Sequence, residues 1–291
     1  MALPVDKSPG EIARATPEGR DVDRIEVSLL LDGVHQQYGF DFRNYAAAPL
    51  RRGIQSAMIA EGVQTISGLQ ERVLHEPASM HRFLGCVGVH VTSFFREPAM
   101  FAALRSEVFP LLRTYPSVRI WIAGCATGEE VYSLAVLLDD AAILDRCRLY
   151  ATDMNAGALE QGRRGAYPYL AVDSAQARFA EAGGEGDLTA HAHRSGRVAT
   201  FSARLRDHVT WAEHNLVTDS TFNEFHLVVC ANVLIYFDRD LQRQVHLLLD
   251  ASVVGGGFVA VSCRETLAAS PVKGRYQRVT ADASVFHKVR G

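Results

Sequence analysis

The sequence predicts an α/β protein: a parallel sheet covered by helices on both faces, behind a small all-helical domain. Three observations carry this. From about residue 25 to 88 apolar residues recur only at helical spacing. After Pro98 strand-like and helix-like segments alternate, the pattern of parallel strands joined by crossover helices. A chain of 291 residues, 48% of them hydrophobic, is long enough to bury both cores.

In chain order, residues 1–24 lack an apolar stretch and read as a mobile tail, not a secretory signal. Residues 25–90 form the helical domain. Val27, Leu30, Leu31, Val34 and Tyr38 fall on one helical face, Leu50, Ile54, Ala57 and Met58 on a second, and Leu69 with Val73 on a third; glycines between them suggest about four helices. Residues 91–291 form the sheet domain. Residues 118–123 read as a buried strand, GCATGEE as a turn, and 131–139 as a helix. Residues 148–152 form a second strand closed by Asp153, and a helix through Ala158 and Leu159 follows it. Strands at 209–212 and 225–231 come next, then a helix N-capped by Asp238 that carries Leu241, Val245, Leu248 and Leu249. A strand at 258–262 and a hairpin of 276–279 with 284–289 complete the sheet. About 168–207 interrupts the rhythm with a short strand at 198–201 and a mobile-looking GGEGD run at 183–187, and reads as an insertion.

Composition excludes several classes. A net charge of −3 gives no global attraction to nucleic acid. No apolar run approaches the ~18–20 residues of a membrane span, so no membrane insertion is expected. Cys86, Cys125, Cys147, Cys230 and Cys263 form no C-x-x-C pair, which argues against a disulfide framework or zinc site and fits a reducing cytoplasm. His191 and His193 lack a third ligand at useful spacing, so no metal is expected. No G-x-S-x-G elbow supports hydrolase chemistry.

The chemistry points to the ends of three strands. Gly124 to Gly128 sits between strand and helix, where small residues admit a ligand to the backbone. The turn is not G-x-G-x-x-G and lacks the P-loop lysine, and Glu129 and Glu130 at the helix start would repel phosphate. A ligand bearing hydroxyls and an ammonium or sulfonium suits them; complementing the helix dipole is the plainer alternative. Asp153 stands where a carboxylate meets ribose hydroxyls, although it could instead cap the helix before Asn155. Asn232 and Tyr236 are polar groups in the apolar octet 230–237 and need partners, either a ligand or each other.

Taken together these residues resemble the CheR-type chemotaxis protein-glutamate O-methyltransferases, which use S-adenosylmethionine and leave S-adenosylhomocysteine. The resemblance begins near Ile25 and rests on Val91-Thr92-Ser93-Phe94-Phe95-Arg96, the GCATGEE block with Tyr132-Ser133, Ala151-Thr152-Asp153, Asn215-Leu216 and Asn232 to Phe237, in that order. It implies a Rossmann-like, seven-stranded methyltransferase sheet, an N-terminal helical domain and a small inserted β subdomain. It implies that His90, Thr92, Arg96, Gly124, Glu130, Asp153, Asn215, Leu216, Ala231 and Asn232 bind the cofactor. Glu130 or Asp153 would hold the ribose or amino group, and Asn215 with Leu216 would face the adenine. Arg96 and Tyr236 would stand at the transferred methyl as catalytic residues, although a surface ion pair with Glu97 or another acid is the alternative for Arg96. Arg51 and Arg52 would contact the substrate, although paired helix arginines also suit a solvated face.

The implied partner is a methyl-accepting chemoreceptor or related signalling protein, modified by a monomeric enzyme. Three departures mark the chain. His90 stands where the family has Asn, Ala231 where it has Arg, and the helix around Arg51 and Arg52 keeps two arginines where the family presents several. The first two fall on cofactor binding, which keeps a catalytically weakened S-adenosylmethionine-binding scaffold or sensor as an alternative. The third falls on the substrate, which keeps a different carboxylate acceptor as another.

Overall fold

The computed structural model describes residues 17–87 and 92–289. Among the described residues four helices come first: α1 Pro17–Tyr38, α2 Ala47–Glu61, α3 Ile66–His75 and α4 Pro77–Val87. The apolar faces read from the sequence meet here, with Leu30, Val34, Ile54, Leu69, Val73 and Phe83 in one buried cluster. Thr65 caps α3 by accepting the Gly68 N–H at 3.0 Å. Gly53 lets α2 approach α4 closely: a Cβ there would lie 2.7 Å from Val87 Cα, so a larger residue would push the helices apart. Helix α1 begins at Pro17, inside the stretch expected to be a tail.

The next helical stretch runs through α5 Pro98–Ala103, a π-helical turn at Leu104–Val108, and α6 Phe109–Leu112. Pro110 has no N–H to return to the preceding turn, so the ladder widens there.

The central sheet is built from β1 Val118–Ala123, β2 Cys147–Asp153, β6 Val209–Glu213, β7 Phe225–Val229, β8 Val253–Ala260, β9 Tyr276–Arg278 and β10 Val285–Lys288. Among the described residues its order is β6-β2-β1-β7-β8-β10-β9, with the first five parallel and the terminal hairpin antiparallel. Helices α7 Glu129–Asp140, α8 Ala156–Arg164 and α12 Arg239–Ser252 make the crossovers. Asp238 caps α12 through the Leu241 N–H at 2.9 Å, as its position predicts. Strand β8 starts earlier than the sequence reading placed it. The register slips between Phe225 and Leu227, and Gly256 at φ +78° takes up the slack with no side chain to clash.

The insertion holds a second, antiparallel sheet of order β3-β5-β4, from β3 Ala166–Pro168, β4 Ala192–Ser195 and β5 Val198–Phe201. Around it lie α9 Tyr169–Asp173, α10 Gln176–Glu181 and α11 Ala203–Arg206. The GGEGD run is tied down: Gln176 donates to Gly186 O at 2.9 Å and accepts the Leu188 N–H at 2.8 Å. Among the described residues no helix is long and apolar enough to cross a membrane, and no group of three or more His, Cys, Asp or Glu could hold a metal ion.

Because β1 is followed to one side by β2 and lies against β7 on the other, the crossovers diverge at β1 and leave a crevice at the carboxyl ends of these strands. The helical region closes over it. The Ala46 N–H donates to Tyr236 O at 2.7 Å, the Asp238 N–H donates to Asn44 O at 2.9 Å, and the Tyr45 and Phe237 rings meet edge to face at 5.1 Å.

Candidate active site

The first wall of the crevice is the turn after β1. Gly124 adopts φ +70°, and the N–H groups of Gly124 and Cys125 both donate to Thr152 O. A Cβ on Gly124 would lie 2.5 Å from Val233 Cγ2, so the position must be bare. Ala126, also left-handed at φ +48°, points its N–H at Asp153 Oδ2 at 2.9 Å. The Asn155 N–H donates to Asp153 Oδ1 at 2.9 Å, while Asn155 itself caps α8 by accepting the Ala158 N–H. The capping role thus falls to Asn155, and Asp153 stands fixed at the end of β2 against the crevice.

The second wall is the segment after β7, which ends at Val229, two residues short of the strand the sequence suggested. Asn232 breaks away at φ +61°, and an unexpected residue holds it there. Buried Glu265 accepts the N–H groups of Asn232 and Ser262 at 2.9 Å and of Ile235 at 3.2 Å. Glu97 accepts from Asn232 Nδ2 and from the Cys263 N–H, both at 3.3 Å. Glu97, the acid beside Arg96, is thereby engaged with the turn after β7 and with the loop after β8.

Two lobes share Gly124, Ala126 and Asn232. Thr92, Arg96, Cys125, Glu130 and Ala231 line one. Asp153, Asn215, Leu216 and Tyr236 line the other, together with Tyr45, Val87, Met154 and His214. All the expected cofactor residues among the described ones thus converge; His90 lies outside the described residues. The two arginines of α2 part company. Arg52 is close enough for its charge to be felt at the Tyr236 hydroxyl, whereas Arg51 lines a groove with Asp23 and Glu26 of α1, away from the cleft. Phe94 and Phe95 are both buried core anchors.

Electrostatics differ between the lobes. Loss of water pushes the Glu130 carboxyl up to about 8, helped by Glu265 and Glu97 and opposed by Arg96. Burial also raises Glu129, whose carboxylate accepts from Thr127 Oγ1 at 2.6 Å. Burial raises the Tyr236 phenol, against the pull of Arg96 and Arg52, so its O–H remains a donor at neutral pH. In the Asp153 lobe, which Tyr236 also lines, Asn215 Oδ1 accepts the Val217 N–H at 3.0 Å, which leaves its Nδ2 donors for a ligand. His214 is buried with Nδ1 unpartnered among the described residues, which is costly without a ligand.

This donor set fits S-adenosylmethionine. A fixed carboxylate suits two ribose hydroxyls, a desolvated one suits a cation, and the crevice wall at Gly124 has no room for a side chain. Tyr45, Val87 and His214 escaped sequence reading because the fold alone brings them here; Met154 adjoins Asp153 and was within reach.

Comparison with known proteins gives the same picture. Residues 90–283 match the family model described as "CheR methyltransferase, SAM binding domain", and residues 25–87 match "CheR methyltransferase, all-alpha domain". A Pseudomonas putida protein named "Putative methyltransferase Cher3" is 40% identical over 91% of this chain and 97% of its own. A "Chemotaxis protein methyltransferase" of Listeria monocytogenes is 26% identical over 80% of this chain and 87% of its own. "Chemotaxis protein methyltransferase 1" of Pseudomonas aeruginosa is 24% identical over 81% and 88%.

Proposed function

The chain belongs to the CheR methyltransferase family and carries its S-adenosylmethionine-binding domain, and from that premise we propose that it esterifies glutamate side chains on a methyl-accepting chemoreceptor or related signalling protein. It would act in the cytoplasm as a monomer, with residues 25–90 presenting the acceptor and residues 91–291 performing the transfer. One observation supports this reading above the others. Arg96, Glu130, Asp153, Asn232 and Tyr236 line one cleft, with the charge of Arg52 felt at Tyr236.

In this assignment Asp153 holds the ribose hydroxyls, Asn215 and Leu216 face the adenine, and Glu130 meets the amino group of the cofactor's tail. Thr92 and Ala231 border that tail, and Gly124 lets the ligand lie against the backbone. The bound cofactor supplies a methyl group made electrophilic by its sulfonium. The protein need not supply a base, since a glutamate of pKa ~4.3 is about 500-fold more ionised than protonated near pH 7. Its task is alignment, which can contribute up to ~7–11 kcal/mol. Arg96 and the Tyr236 hydroxyl donate toward the acceptor carboxylate, and Arg52 attracts it to the rim.

The test is incubation of the chain with radiolabelled S-adenosylmethionine and a purified receptor cytoplasmic fragment. Base-labile methyl ester on glutamate is expected. Tight S-adenosylhomocysteine binding without ester would overturn the reading in favour of a scaffold or sensor. Ester formed only on another carboxylate would move the acceptor.

A further inference from the structure

A second cavity of about 660 Å³ lies across the 232–237 turn from the cleft, between α12 and the loop after β8. The turn has one face in each. Val233, Tyr236 and Phe237 line the cleft, whereas Leu234 and Ile235 line this cavity. The volume is that of a ligand site, ~300–1,000 Å³.

Its chemistry is cationic at the edge and unsatisfied inside. Arg239 and Arg243 from α12 and Arg264 from the loop line it, and none of the three makes a salt bridge among the described residues. Asp240 supplies one opposing charge; Glu265 is a second carboxylate, committed to three backbone N–H groups. His246 lines the same cavity and is 4% exposed, with neither ring nitrogen partnered among the described residues. A buried imidazole with one donor and one acceptor idle is destabilising unless something fills both. Three guanidinium forks line the same cavity, and such forks bind phosphate oxygens bidentately.

We infer that this cavity binds a small phosphate-bearing ligand and that its occupancy is felt at the cofactor cleft. The coupling runs through two side chains of the cavity wall that hold the backbone of the shared turn. Glu265 holds the N–H groups of Asn232 and Ile235, and Gln242 donates to Leu234 O at 2.9 Å and Phe237 O at 3.1 Å. A ligand gripped by Arg264 pulls on the neighbouring Glu265, and with it on the left-handed Asn232.

The experiment is calorimetric titration of the full chain with inorganic pyrophosphate and, separately, ATP at physiological salt. Saturable binding of at least one is expected, about tenfold weaker in the Arg243→Ala/Arg264→Ala double variant. Both arginines are exposed, so the variant is expected to fold. Asp153→Ala should leave this binding intact, which separates it from occupation of the cofactor cleft and makes the result independent of the proposed function. A saturating amount of whichever of the two binds should also shift S-adenosylhomocysteine affinity about fivefold in the wild type and not in the double variant. No saturation up to about 5 mM, or binding indifferent to the arginines, overturns the site. An S-adenosylhomocysteine affinity that the bound ligand leaves unchanged overturns the coupling.

Discussion

Asp153 and Glu130 are two carboxylates on one cleft, conditioned in opposite ways. Asp153 closes β2 and is pinned by the backbone N–H groups of Ala126 and Asn155, so its orientation is settled before any ligand arrives. Glu130 lies in the first turn of α7, where Glu265 and Glu97 crowd it and Arg96 only partly compensates. The comparison teaches that one residue type can serve geometry in one lobe and charge in the next. The fixed carboxylate selects by position. The crowded one selects by sign, because a cation relieves what its neighbours impose.

The sharpest way to break the comparison is to remove the fixed partner. Asp153→Ala should cost S-adenosylhomocysteine affinity at least about 100-fold, near the low end for two hydrogen bonds to a charged group. Calorimetry reads it directly, and a loss under about fivefold would mean that position in this lobe is set by something else.

Next is the crowded carboxylate. Ligand-free Glu130 holds its proton below about 8, and meeting an ammonium requires it to ionise. Binding therefore releases a proton, and affinity rises with pH by up to about tenfold per unit until it levels off above that value. Titrations from about pH 6 to 8, in buffers of different ionisation heat, measure both effects. Glu130→Gln should flatten the slope, whereas a slope that persists in that variant would place the titrating group elsewhere.

The smallest effect tests whether the acceptor is recognised apart from the cofactor. Arg52→Glu should slow methylation of a receptor fragment about fivefold with S-adenosylhomocysteine affinity unchanged, while Arg51→Glu should stay within about twofold. Equal effects from both would erase the distinction between the cleft rim and the α1–α2 groove.

How much of this was legible varies with the range of the interactions. The β1 turn, Asp153 and the Asn232–Tyr236 segment show in the sequence because strand ends are local and their residue types are unusual for a core. Glu265 did not show. Its role comes from three N–H groups on two loops, and nothing near Ser262 to Thr266 marks it as more than a surface acid. Tyr45 was equally silent, since only docking of the helical region carries it to Met154, where its hydroxyl lies 3.9 Å from the sulfur. The start of α8 was legible in part: Asp153 and Asn155 both look like caps, and only coordinates assign the cap to Asn155. Strand β8 was misplaced because three glycines carry no periodic signal.

The bond from the Ala46 N–H to Tyr236 O has a consequence for the order in which the enzyme matures. A ribosome delivers Ala46 early, and the helices around it can pack while the rest of the chain is still being made. Tyr236 emerges much later, and Glu265, which steadies its turn, later still. The Tyr236 side of the cleft is therefore finished after the helical side. A nascent or truncated chain can own a folded helical domain long before it owns a working transferase.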